Sequence, residues 1–210
     1  MSLSEMIIIL KESFKGFSSF DYTFGSSIRE CELIVQKSKE RLSLFGINDI
    51  ELLSLILLER NAYDVLQSAM LSSSENAFIT LWEENLDSLL SKTPVTNRKT
   101  IFRNDQYCDI EYLKSIFEKK ELYRTNHYFT CSKYFLPIGK CKVKFLIHPL
   151  RKCSRAHSVY MIYNFGRNIE NYTPEWQIEY EKGTEFLISS INQKGGYYVV
   201  HLNEKQMVDR

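Results

Sequence analysis

The hydrophobic period of this chain changes once, near residue 100. Before it, apolar residues recur every three or four positions; after it, short runs alternate apolar and polar residues. A helical front followed by several short strands excludes a regularly repeating βαβ chain and predicts an α+β fold. Helices are expected over residues 4–14, 28–45, 50–58 and 75–90. Ser27-Ile28-Arg29-Glu30 reads as a capping box for the second helix, and Gly46 as its stop. Asn48-Asp49-Ile50-Glu51 reads as a similar cap for the third. Residues 52–58 are apolar nearly all round, which predicts a helix at the centre of a helical layer. Residues 91–99 are polar with one proline and read as a connection. The expected division is a helical lobe over 1–97, packed on a β core over 98–210.

In the second part, Thr100-Ile101-Phe102-Arg103 reads as a strand and 109–119 as a helix capped by Asp109. Further strands are expected over 127–132, 142–148, 158–163, 177–180, 184–190 and 197–202, with Gly195-Gly196 turning the chain into the last. Glu181-Lys182-Gly183 reads as a hairpin turn, because glycine takes the positive φ that a short loop demands. Glu175 and Gln177 lie two residues apart and so share one face of a strand. An acid and an amide beside such a turn are the part of the chain best suited to chemistry.

Net charge is +1, so overall charge names no partner. Its distribution is uneven. Residues 122–169 contain no Asp or Glu but nine basic residues, and the acids return with Glu170, Glu175, Glu179, Glu181 and Glu185. This fits either a solvated mixed surface or a site for a phosphate-bearing ligand. Glu59 and Asp64 read as solvated helix carboxylates. The five cysteines are scattered, odd in number and without C-x-x-C spacing, which argues against a disulfide framework and a zinc site. His127 and His148 lack neighbours at ligand spacing, so no metal is expected. No signal peptide or membrane span is visible. The expected location is cytoplasmic, or a host cell reached through a dedicated injection system.

Three stretches make a constellation: Phe102-Arg103 ending a strand, Thr130-Cys131-Ser132 with alternating hydroxyls, and Glu175-Trp176-Gln177 before a glycine turn. A guanidinium can clamp a pyrophosphate, a hydroxyl can fix a ribose, and a carboxylate can steady the charge that develops as a glycosidic bond breaks. In this order the motifs resemble the Arg–Ser–Glu class of mono-ADP-ribosyltransferases, the cholera-toxin-like branch that includes small phage and bacterial effector enzymes. That family shows an aromatic-Arg strand, a Ser-Thr-Ser strand, and a Glu-x-Glu pair leading to a Gly-Thr-x-Phe-like run. Its counterpart here is Gly183-Thr184-Glu185-Phe186. The resemblance spans about residues 98–203. It implies a split mixed or antiparallel β-sandwich that binds NAD as co-substrate between two small sheets, without a metal, and transfers ADP-ribose to a protein side chain.

By the same resemblance, Phe102, Arg103, Phe129, Thr130 and Ser132 bind the cofactor. Glu175 and Gln177 occupy the catalytic pair, and Tyr172 and Phe165 contact the protein target. A Glu first in the pair goes with arginine as acceptor. One departure matters: with the glycine turn setting the register, the catalytic Glu falls on Gln177. Three readings stay open. Gln177 is an introduced substitution, or a natural loss leaving an NAD-binding pseudoenzyme, or Glu175 is itself the catalytic acid. A different class also stays open: Tyr123, Tyr128, Phe129, Tyr134, Phe135 and Phe145, interleaved with the basic residues of 122–169, suit a nucleic-acid surface.

Overall fold

A computed structural model describes residues 1–59, 62–72, 76–135, 141–163 and 177–206; for residues 37–39, 41, 59 and 163 it describes the backbone alone. The chain divides into two compact units, Met1–Thr93 and Pro94–Arg210.

The first unit is helical. Helix α1 (Leu3–Ser13) opens on a capping box in which Glu5 N–H donates to Ser2 Oγ and Ser2 N–H donates to Glu5 Oε2. A π-helical turn (Asp21–Gly25) runs straight into α2 (Ser26–Leu44). The capping box expected at Ser27 is therefore not made: the chain is already helical there, and Ser27 Oγ is buried without a hydrogen-bond partner among the described residues. Helix α3 (Asp49–Glu59) does carry its cap, with Asn48 Oδ1 accepting from the Ile50 and Glu51 amides. As its composition predicts, α3 is buried continuously from Glu51 to Leu58. Helix α4 (Tyr63–Leu71) was not legible in the sequence. Helix α5 (Ala77–Lys92), capped by Asn76, packs on α3 through the buried Trp82, whose indole N–H donates to the Ser54 carbonyl at 2.9 Å. The buried Glu51 carboxylate is satisfied by the Asn48 amide, the Ser88 hydroxyl and Lys92.

The second unit is built on strands β1 (Ile101–Asp105), β2 (Leu122–Arg124), β3 (Phe129–Ser132), β4 (Val143–His148), β5 (Ala156–His157), β6 (Gln177–Tyr180), β7 (Glu185–Lys194) and β8 (Tyr197–Glu204). Their order is β2-β7-β8-β4-β1-β3-β6-β5, with β4 and β8 parallel and the other pairings antiparallel. The sheet is nearly divided between β1 and β3, which share the single register pair Phe102↔Ser132. Helix α6 (Ile110–Lys119), capped by Asp109 as expected, contributes Leu113 and Ile116 to the core. Around it gather Ile101, Phe129, Phe145, Ile178, Tyr180, Phe186 and Val200. Residues 94–97, read from sequence as connection, run beside β5: Val95 bridges His157, and the Thr96 amide donates to the Ala156 carbonyl.

Two expectations change. Residues 158–163 form no strand; after β5 the chain enters the short helix α7 (Tyr160–Tyr163), with Val159 and Ile162, three apart, both buried. The turn at 181–183 joins no hairpin either. Strand β6 pairs with β3 and β5, whereas β7 pairs with β2 and β8, so the turn carries the chain from one part of the divided sheet to the other. Gly183 still has the positive φ expected of it, +80°, and donates its amide to the Thr125 carbonyl. A Cβ there would meet the Arg124 guanidinium at 3.4 Å in a conformation that side chains disfavour. Gly183→Ala is expected to lower stability by about 1–2 kcal/mol, read by urea unfolding.

Candidate active site

The site grows from the two-residue period of β3 and β6. On β3, Phe129 and Cys131 enter the core while Thr130 and Ser132 take the other face. On β6, Ile178 and Tyr180 enter the core while Gln177 and Glu179 take the other face. The antiparallel register sets Thr130 opposite Glu179 and Ser132 opposite Gln177. Two hydroxyls thus meet an amide and a carboxylate at the division of the sheet.

Glu179 is the centre of this group. Its side chain is fully buried, and its oxygens accept from Thr130 Oγ1 at 3.0 Å and Gln177 Nε2 at 2.6 Å. Burial pushes its carboxyl up to about 7; the Gln177 and Thr130 hydrogen bonds and the Arg103 charge oppose that rise. A carboxyl so shifted by burial beside specific polar partners is a candidate functional group.

Arg103 is held on three sides. Nη1 donates to the Thr130 carbonyl at 2.9 Å, Nε and Nη2 donate to Asp105 Oδ2 at 3.3 and 3.1 Å, and the guanidinium lies 4.5 Å from the Phe129 ring centre. It stands opposite Phe145, on the core side of the strand, so it reaches the site through the β3 backbone rather than across the face that carries Thr130 and Glu179. Beside it His127 is pushed down to about 4, by burial first and then by the Arg103 charge.

The expected residues sort as follows. Thr130, Ser132 and Gln177 come together. Phe102 shares the face of Ser132 and meets the Phe135 ring edge-on at 5.6 Å. Phe129, expected at the cofactor, is instead a core residue, because the strand period turns it away from Thr130 and Ser132. Glu175, Tyr172 and Phe165 lie outside the described residues. Glu179 was read only as one of the returning acids. The signal that finds it is the spacing applied to Glu175 and Gln177, moved two residues along. Of the aromatics proposed for a nucleic-acid surface, Tyr128, Phe129 and Phe145 are buried.

The turn beyond β6 is braced by Glu181, which accepts from His157 Nε2 at 2.8 Å and Arg155 Nε at 2.6 Å. The His157 hydrogen bond, aided by Arg155, holds its carboxyl below the ordinary value although it is half-buried. Glu204, also unread in the sequence, accepts from the Leu150 amide, the Arg155 amide and the Ser154 hydroxyl, and so pins the segment between β4 and β5.

A divided mixed sheet with a helical front is the fold of the ADP-ribosyltransferase toxins and effectors. The chain is similar to the ADP-ribosyltransferase toxin Plx2a from Paenibacillus larvae, with 16% identity over 84% of this chain and 97% of that one and a TM-score of 0.58. It is also similar to the type III effector XopAI from Xanthomonas axonopodis pv. citri, with 12% identity over 84% and 71% and a TM-score of 0.62. A third likeness is to the ADP-ribosylating toxin BECa of C. perfringens, solved with NADH, with 12% identity over 82% and 48% and a TM-score of 0.58. No protein-family model matches the chain, and no curated protein sequence matches it.

Proposed function

We propose that this chain is an NAD-dependent protein mono-ADP-ribosyltransferase and that Glu179 is its catalytic carboxylate. The observation that carries the reading is the buried Glu179, held by Thr130 and Gln177 in a fold shared with such enzymes. The NADH in BECa supports a nicotinamide dinucleotide as the ligand of this fold. Ionised Glu179 accepts a hydrogen bond from the nicotinamide ribose and stabilises the positive charge that develops on the sugar as its bond to nicotinamide breaks. Nicotinamide leaves with the bonding electron pair, and an acceptor side chain attacks the sugar carbon. Thr130 and Ser132 orient the ribose and the acid. Arg103, fixed by Asp105 and Phe129, supplies positive charge for the phosphates.

In this reading Gln177 is not a displaced acid. It is the first member of a Gln-x-Glu pair, and its amide positions Glu179. The arginine preference that goes with a Glu at that position therefore does not carry over, since an amide cannot take a proton from a guanidinium. A host-delivered effector role fits the likeness to XopAI.

The test is nicotinamide release from NAD by the wild type, Glu179→Gln, Glu175→Ala and Gln177→Glu. Active wild type, a silent Glu179→Gln and an active Glu175→Ala support the assignment. A silent wild type switched on by Gln177→Glu would return the catalytic position to residue 177.

A further inference from the structure

A cavity of about 420 Å³ opens where the chain enters β1 and leaves β4, lined by Arg98, Lys99, His148, Pro149, Leu150 and Arg151 among others. Its two walls come from acid-free stretches, residues 88–104 and 122–169. Several other cations of this unit do have partners: Arg103 pairs with Asp105, Arg155 with Glu181 and Lys114 with Glu111, while Lys133 and Lys144 lie over aromatic rings. None of Arg98, Lys99 and Arg151 pairs with a carboxylate among the described residues. His148 stands at the back, its ring against the Lys99 carbonyl and His201, each at 3.4 Å. The Glu204 carboxylate, which accepts from the Leu150 amide, is also taken up by the Ser154 hydroxyl and the Arg155 amide.

Three like charges converging on one cavity repel one another, and a bound anion relieves that repulsion. Two guanidinium forks and an ammonium match the oxygens of a phosphate or diphosphate, and Pro149 and Leu150 add an apolar surface for the group that carries it. The volume falls in the range of small-ligand sites, roughly 300–1,000 Å³. Strand rise sets Lys99 about 13 Å along the chain from Arg103, and no residue of the cavity belongs to the proposed catalytic group.

We infer that Arg98, Lys99 and Arg151 form a second anion site, separate from the NAD site, for a small phosphate-bearing ligand. A nucleotide and a phosphorylated lipid headgroup share that chemistry. The site does not depend on the transferase reading, since NAD turnover and anion binding draw on different residues.

The experiment is a titration of the full ¹⁵N-labelled chain with inorganic pyrophosphate at low ionic strength, followed by NMR. Saturable shifts are expected at the amides of residues 96–100 and 148–151. The double variant Arg98→Ala/Arg151→Ala should weaken pyrophosphate binding at least tenfold and change NAD affinity less than twofold. ADP and vesicles carrying a phosphoinositide form two further arms, and the one whose binding the double variant abolishes identifies the source. The inference is overturned if those amides do not shift, if the shifts centre on Thr130 and Glu179 instead, or if the double variant binds pyrophosphate as the wild type does.

Discussion

Glu179→Gln is expected to lower the rate of nicotinamide release from NAD by about 10²–10³-fold while leaving the fold intact. The magnitude is that of removing one preorganised group that stabilises transition-state charge. The amide is nearly isosteric with the acid. Its oxygen can accept from Gln177 and its nitrogen can donate to the Thr130 oxygen, so the local hydrogen bonds survive. What is lost is the negative charge. The same charge predicts the pH dependence. The reaction needs the ionised form, so kcat/KM for NAD should rise with pH and level off above an apparent pKa of about 7. Stability should move the other way. A carboxyl whose folded pKa is raised leaves the protein most stable where it is protonated in both states, below its ordinary 4.5. Stability then falls as pH rises toward about 7. The difference corresponds to about 3 kcal/mol. Urea unfolding at pH 5 and pH 8 should show this decline in the wild type and a smaller one in Glu179→Gln. Equal NAD turnover by the two chains would remove Glu179 from the mechanism.

Phe129→Ala is expected to cost about 3–5 kcal/mol of stability, measured by denaturant unfolding, because it empties a large side chain from a packed core. Phe129 is 1% exposed and its ring packs against Phe145 at 5.7 Å and Phe186 at 6.1 Å. It also supports the Arg103 guanidinium, whose stacking on an aromatic face is worth about 0.5–2 kcal/mol. Phe129→Leu separates the two effects. It keeps most of the buried apolar volume but removes the ring face, so it should unfold only slightly earlier while binding NAD more weakly. If Phe129→Leu binds NAD as the wild type does, the ring serves the core alone and Arg103 does not need it.

Much of the site was legible because strand geometry is local. Thr130 with Ser132, and Gln177 with Glu179, share faces for the same covalent reason that Phe129 with Cys131, and Ile178 with Tyr180, share the others. On the proposed assignment of Glu179, the stretches that carry the resemblance are the right ones, and the glycine turn points to a register two residues early. That inference assumed β6 and β7 form a hairpin. They do not pair, so the turn places no constraint on how β6 meets its partner. The π-helical entry to α2 and the short helix α7 were equally hidden, since each is set by surroundings that a few residues do not specify.

Determined by the sequence alone were the helical front, strands β1, β3, β4, β6, β7 and β8 with their two faces, the caps at Asn48 and Asp109, and the acid-free stretches. Each follows from periodicity or from a side chain bonding its own backbone a few residues away. The tertiary structure decided which faces meet. It set Thr130 opposite Glu179, buried that carboxylate until it titrates near neutral pH, locked Arg103 between Asp105 and Phe129, and brought Arg98 and Arg151 to the lining of one cavity. Those outcomes depend on hydrogen bonds and desolvation between segments tens of residues apart, which no local pattern encodes.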